Sequence, residues 1–131
     1  ISDGDIAGII NCLRNDETGI DSYMGSGGAQ EGILSAIATK CLNGHMEARF
    51  NPNNDKNSEI LLQKYNLKAN KIYRISEMVK DECIFSASGI TDNSLIKGVK
   101  FENTLVKVET LFLSSKSGSF RKISMSKSMK Y

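Results

Sequence analysis

Hydrophobic residues recur at helical spacing early in the chain and at strand spacing in its last third, and this change of period predicts the elements. Ile6, Ile9, Ile10 and Leu13 share one face of a helix expected over Asp5 to Leu13, with Asp5 as N-cap or first-turn acid. Ile33, Leu34, Ile37, Ala38, Cys41 and Leu42 mark a second helix, Ala29 to Leu42, closed by Asn43-Gly44. Between them, Ile20 to Met24 reads as a short strand running into a glycine turn. His45 to Phe50 sets Met46, Ala48 and Phe50 against Glu47 and Arg49, the alternation of a half-buried strand. A loop over Asn51 to Asn57 leads to a short helix, Ser58 to Tyr65, on Ile60, Leu61 and Leu62. Ile72 to Ile75 is a further strand, and Ser76 to Val79 one helical turn capped by Ser76. Cys83 to Ala87 is an unbroken apolar run, as in a central strand buried on both faces. Gly98 to Glu102, Leu105 to Ser115 and Phe120 to Met125 alternate with period two, and Ser117-Gly118 supplies the turn of an antiparallel hairpin.

Helices and strands in alternation, followed by strands alone, predict an α/β domain: a mixed sheet flanked by helices, with a carboxyl-terminal antiparallel hairpin. Ligands of such sheets bind beyond the carboxyl ends of strands. Three loops are expected there: Asp3-Gly4-Asp5, Gly25 to Glu31, and Ser88 to Asn93. The second is the most informative. Glycines at 25, 27, 28 and 32 surround the start of a helix, whose unpaired N–H groups and partial positive charge suit an anion. The carboxylate of Glu31 in that first turn therefore has one of two tasks: it caps the helix, or it holds a divalent cation that bridges to a phosphate, since hard oxygen donors suit magnesium and manganese. The dinucleotide fingerprint is not met, because Gln30 stands where its last glycine belongs, and the phosphate-loop lysine is missing. Thr91-Asp92 fits a metal or sugar contact and an Asx-type turn equally well.

Composition narrows the classes. The 131 residues fit one domain, and 40% hydrophobic with 24% charged residues is ordinary globular usage. A net charge of +2, with basic residues scattered among apolar ones, excludes a nucleic-acid partner. No run approaches the ~18 apolar residues of a membrane span, and no signal peptide is visible, so no membrane partner and a cytoplasmic location are expected. Cys12, Cys41 and Cys83 sit in apolar patterns and read as small buried hydrophobes, while the single histidine, His45, excludes a histidine metal cluster. The chain opens at Ile1 on what reads as the exit turn of a strand, so residues 1–131 are expected to be the carboxyl-terminal domain of a longer polypeptide.

Four blocks in order resemble class II fructose-1,6-bisphosphatases: Asp3-Gly4-Asp5-Ile6-Ala7-Gly8; Gly25 to Gly32; Lys40-Cys41-Leu42-Asn43-Gly44; and Ser88-Gly89-Ile90-Thr91-Asp92 with Leu95 and Lys97-Gly98-Val99. Ser115 to Gly118 and Arg121-Lys122-Ile123 also look like that family's terminal hairpin. The resemblance implies the fold shared with inositol monophosphatases and hydrolysis of the 1-phosphate of fructose 1,6-bisphosphate with Mn2+ or Mg2+. It implies Glu31 as a metal ligand, Asp3, Gly4 and Asp5 as sugar contacts, and Gly28 lying against the substrate. Sedoheptulose 1,7-bisphosphate is a second substrate of some relatives, and assembly as a homo-oligomer is common among them. Gln30 departs from the family's usual proline and Asn93 from its usual glycine, the latter a residue that takes a left-handed turn nearly as well. The family's other metal carboxylates come from an amino-terminal half that these residues do not include, so activity is expected only with that half. The alternative is a stand-alone sugar-phosphate binding or regulatory module.

Overall fold

In the computed structural model, which describes residues 5–51 and 56–129, the first hydrophobic period becomes α1 (Asp5–Leu13). A short turn of helix, α2 (Asn15–Thr18), follows and is stopped by Gly19 in the left-handed conformation. The segment from Ile20 to Met24 is then irregular, not the expected strand. Its polar groups are satisfied locally: Asn15 Nδ2 donates to Asp21 Oδ1 (2.7 Å), and the Ile20 N–H donates to Thr18 Oγ1 (3.3 Å). With no neighbouring strand among the described residues to pair it, so short a segment does not hold an extended conformation.

The longest helix, α3 (Ala29–Cys41), matches its predicted span, and Asn43 rather than Gly44 takes the left-handed conformation that closes it. Its buried face is not the expected one. Ser35, Ala36, Ala38, Thr39 and Cys41 are buried, whereas Ile33 and Leu34 stay 41% and 42% exposed. Small residues let α1 and the sheet approach the helix axis closely, and the Thr39 hydroxyl is satisfied by donating to the Ser35 carbonyl (2.8 Å). Lys40 ties the helix to a distant segment: its ammonium donates to the carbonyls of Val79 (2.8 Å), Lys80 (3.1 Å) and Asp81 (2.8 Å).

β1 (Glu47–Ala48) and β2 (Tyr73–Arg74) form a small antiparallel ladder, shorter than either predicted strand, with α4 (Lys56–Lys64) between them in the chain. The burial alternation over 45–50 is nevertheless as expected. α5 (Ile75–Met78) is capped not by Ser76 but by the Glu77 carboxylate, which accepts the Arg74 N–H (3.1 Å).

β3 (Ile84–Ser88), β4 (Lys100–Glu102), β5 (Leu105–Ser114) and β6 (Ser119–Ser128) make the main sheet. β5 is its centre: β6 runs along one side for its full length, and β3 and β4 share the other. The α/β class and the terminal hairpin hold, while every pairing among the described residues is antiparallel rather than mixed. The loops joining β3 to β6 contain no helix, and a parallel pair needs a crossover of a dozen or more residues. β3 is consequently a side strand, not a central one. Phe85 is buried against α3's side of the sheet, whereas Ile84, on the opposite face, is 62% exposed.

Ile10, Ala38, Cys41, Phe85, Leu95, Ile96, Leu111 and Leu113 form the core between α1, α3 and the sheet. Cys41 and Cys83 meet there with sulfurs 3.9 Å apart and unbonded, and burial, reinforced by the contact with Cys83, pushes the Cys41 thiol up to about 11. That is the behaviour of packed hydrophobes, as the apolar patterns suggested.

The loop from Gly89 to Val99 folds back on itself. A Cβ on Gly98 would lie 2.7 Å from the Ile90 carbonyl oxygen, so only glycine permits this crossing of backbone over backbone. Asn93 works through its side chain, not through a left-handed backbone: Oδ1 accepts the N–H of Leu95 (2.8 Å) and of Ile96 (3.0 Å). Asp92 Oδ1 likewise accepts the Gly98 N–H (2.8 Å). The Asx-type turn in this loop is made by Asn93, whereas Asp92 ties the loop across to Gly98.

Candidate metal and substrate site

Two helix N-termini meet where Asp5 and Glu31 come together. Asp5 is the first residue of α1, and Gly27 and Gly28 lead directly into α3, with Gly28 as its N-cap in an extended conformation (φ −68°, ψ 160°). Packing of α1 against α3 brings the Asp5 carboxylate beside Gly27, next to Gly28, where the Glu31 carboxylate lies. A Cβ on Gly27 would stand well inside 3.0 Å of Asp5 Oδ2 and 3.9 Å from the Cβ of Glu31. A Cβ on Gly28 would similarly collide with Glu31 Oε2. At both glycines the volume a methyl group would need is taken by the end of an acidic side chain.

The environments of the two acids differ. Asp5 is half-buried and its Oδ1 accepts a hydrogen bond from the Tyr23 hydroxyl (2.8 Å). This bond to a carboxylate holds the Tyr23 phenol above its ordinary range, so the hydroxyl remains a donor. Glu31 is exposed, and among the described residues its carboxylate accepts no hydrogen bond and pairs with no cation. Among the described residues Glu31 does not perform the capping task. A cap would place the carboxylate on backbone N–H groups of the first turn, and it makes no such bond.

Asp3 and Gly4 lie outside the described residues. The third predicted loop, Ser88 to Asn93, leads into Ser94, whose Oγ accepts from Asn11 Nδ2 of α1 (2.9 Å), roughly 9 Å along the helix axis from Asp5. Surface hollows of about 250 Å3 beside Lys97, Lys107 and Glu109, and of about 370 Å3 beside Lys40 and Ser76, include neither carboxylate.

Chemically, two carboxylates at helix N-termini offer hard oxygen donors of the type that suits Mg2+ or Mn2+. Their number does not complete a site: among the described residues no three His, Cys, Asp or Glu side chains are grouped to hold a metal ion. No helix among them is long and apolar enough to cross a membrane.

Residues 1–127 match the family described as bacterial fructose-1,6-bisphosphatase, glpX-encoded. The chain belongs to this fructose-1,6-bisphosphatase family. It is 34% identical to the class 2 fructose-1,6-bisphosphatase of Haemophilus influenzae, over 94% of this chain and 40% of that protein. It is also 34% identical, with the same coverage, to the fructose-1,6-bisphosphatase 1 class 2 of Escherichia coli K12. The chain thus spans about two-fifths of the length of the curated relatives it matches. The packing of α1 on α3 brings Asp5 beside the glycine-rich turn, which lies some twenty residues further along the chain. Tyr23 is the residue that reading the sequence missed. It lies 18 positions from Asp5, and no periodicity links the two.

Proposed function

We propose that this chain is part of a metal-dependent phosphatase that hydrolyses the 1-phosphate of fructose 1,6-bisphosphate, giving fructose 6-phosphate and inorganic phosphate. The observation that carries the reading is the exposed, unpaired Glu31 carboxylate beside Asp5 at the joined N-termini of α1 and α3, in a chain of this family. Glu31 is one oxygen ligand of a Mn2+ or Mg2+ ion, Asp3, Gly4 and Asp5 contact the sugar, and Gly28 lies against the substrate. A divalent cation there would stabilise charge on the phosphoryl group and activate the attacking water. The remaining ligands belong to polypeptide that the relatives possess beyond the matched two-fifths, because magnesium and manganese require more oxygen donors than this pair supplies. Sedoheptulose 1,7-bisphosphate fits the same chemistry, and a cytoplasmic homo-oligomer is the expected state of the whole protein.

The small number of acidic donors also supports the second reading, a binding or regulatory module without catalysis. Calorimetric titration of the isolated chain with fructose 1,6-bisphosphate separates the two. The phosphatase reading expects no appreciable heat without metal, and manganese-dependent phosphate release once the chain is joined to the portion of a relative that has no counterpart in it. Appreciable metal-free affinity, with no phosphate release from the joined protein, establishes the module instead.

A further inference from the structure

We infer that Tyr23 is a positioning residue for substrate binding, holding the Asp5 carboxylate with one oxygen engaged and the other presented beside Gly27. The inference rests on the reading of Asp5 as a sugar contact. The Tyr23 hydroxyl donates to Asp5 Oδ1 at 2.8 Å. Its ring folds back over Gly25, where a Cβ would stand 2.7 Å from the hydroxyl oxygen and 3.0 Å from two ring carbons. Gly25 therefore gives the ring its place, and the ring in turn fixes where the hydroxyl points. Asp5 Oδ2 remains at Gly27, on the side where Glu31 stands.

An aspartate at the first residue of a helix otherwise has several orientations open to it, because the unpaired N–H groups of the first turn are competing donors to its carboxylate. A phenol donating to one oxygen selects a single orientation and leaves the second oxygen as an acceptor with vacant lone pairs. A sugar hydroxyl donating to that oxygen meets an acceptor already in place, so less ordering accompanies binding. Since the contact is to the sugar and not to the reacting phosphorus, its effect is expected equally in ground state and transition state. Such an interaction changes KM and leaves kcat alone.

The test uses this chain joined to the missing portion of a relative. Tyr23→Phe keeps the ring over Gly25 and removes only the hydroxyl. It is expected to raise the KM for fructose 1,6-bisphosphate about tenfold with kcat retained, the size of one lost hydrogen bond to a charged group. Asp5→Ala is expected to raise KM further, and adding Tyr23→Phe to it should change nothing more, because the phenol acts only through that carboxylate. If Asp5→Ala raises KM and Tyr23→Phe does not, the positioning role is overturned while the site reading stands. If Asp5→Ala leaves KM unchanged, both fall.

A second measurement needs no turnover. In the isolated chain, phenolate absorbance followed against pH should show a tyrosine step above the ordinary range that disappears in Tyr23→Phe and moves down in Asp5→Asn. A Tyr23 step that ignores Asp5→Asn overturns the inference.

Discussion

Glu31→Gln, placed in this chain after it is joined to the portion of a relative that it lacks, is expected to lower manganese-dependent phosphate release by about 100-fold or more, the scale on which removing one preorganised electrostatic partner acts. The substitution keeps the shape of the side chain and removes its charge. A neutral amide is a poor ligand for a hard divalent cation, so the manganese concentration giving half-maximal rate should rise together with the loss of rate. Folding should hardly notice. Glu31 is exposed and forms no hydrogen bond or ion pair among the described residues, so the stability change stays within about 0.5 kcal/mol. Colorimetric phosphate assay across a manganese series, with thermal unfolding alongside, checks both halves. An unchanged rate would remove Glu31 from the metal site.

The largest stability effect is expected at Leu113. This β5 side chain is fully buried, paired across the sheet with Phe85 of β3 and Phe120 of β6. Leu113→Ala leaves a cavity that rigid neighbours on both sides cannot close, and should cost about 2–5 kcal/mol. For a domain whose total stability is of order 5–15 kcal/mol, that is a large fraction. Ile123, on the opposite face of the same sheet and half-exposed, provides the contrast: Ile123→Ala should cost less than about 1 kcal/mol. Urea denaturation of the two variants measures the difference. Equal losses would mean that the sheet buries both faces to the same degree.

Much of this architecture was legible in the chain. α1, α3 and the β5–β6 hairpin carry long, unambiguous periods, and each appears where its pattern placed it. Features that depended on distant partners were not legible. The Cys83-to-Ala87 run fits a central strand as well as a side strand, and only the pairing of β5 with β6 decides which strand lies in the middle. On α3 the largest residues suggested the buried face, but the closeness of α1 and the sheet selected the small ones instead. The site divides in the same way. Glycines preceding an acid announced Glu31, and the acid before an apolar period announced Asp5. Their meeting at Gly27 follows from helix packing, and the bond from Tyr23 follows from a chain reversal that no local pattern encodes.

The sulfur of Cys41 gives the molecule a built-in reporter of its own unfolding. A thiol shifted to about 11 and sealed in the core offers almost no nucleophile at neutral pH, so an alkylating reagent should reach it only in molecules that have opened. Mass-resolved labelling of Cys41 over time would then record the opening of the helix-on-sheet core, with no residue exchanged.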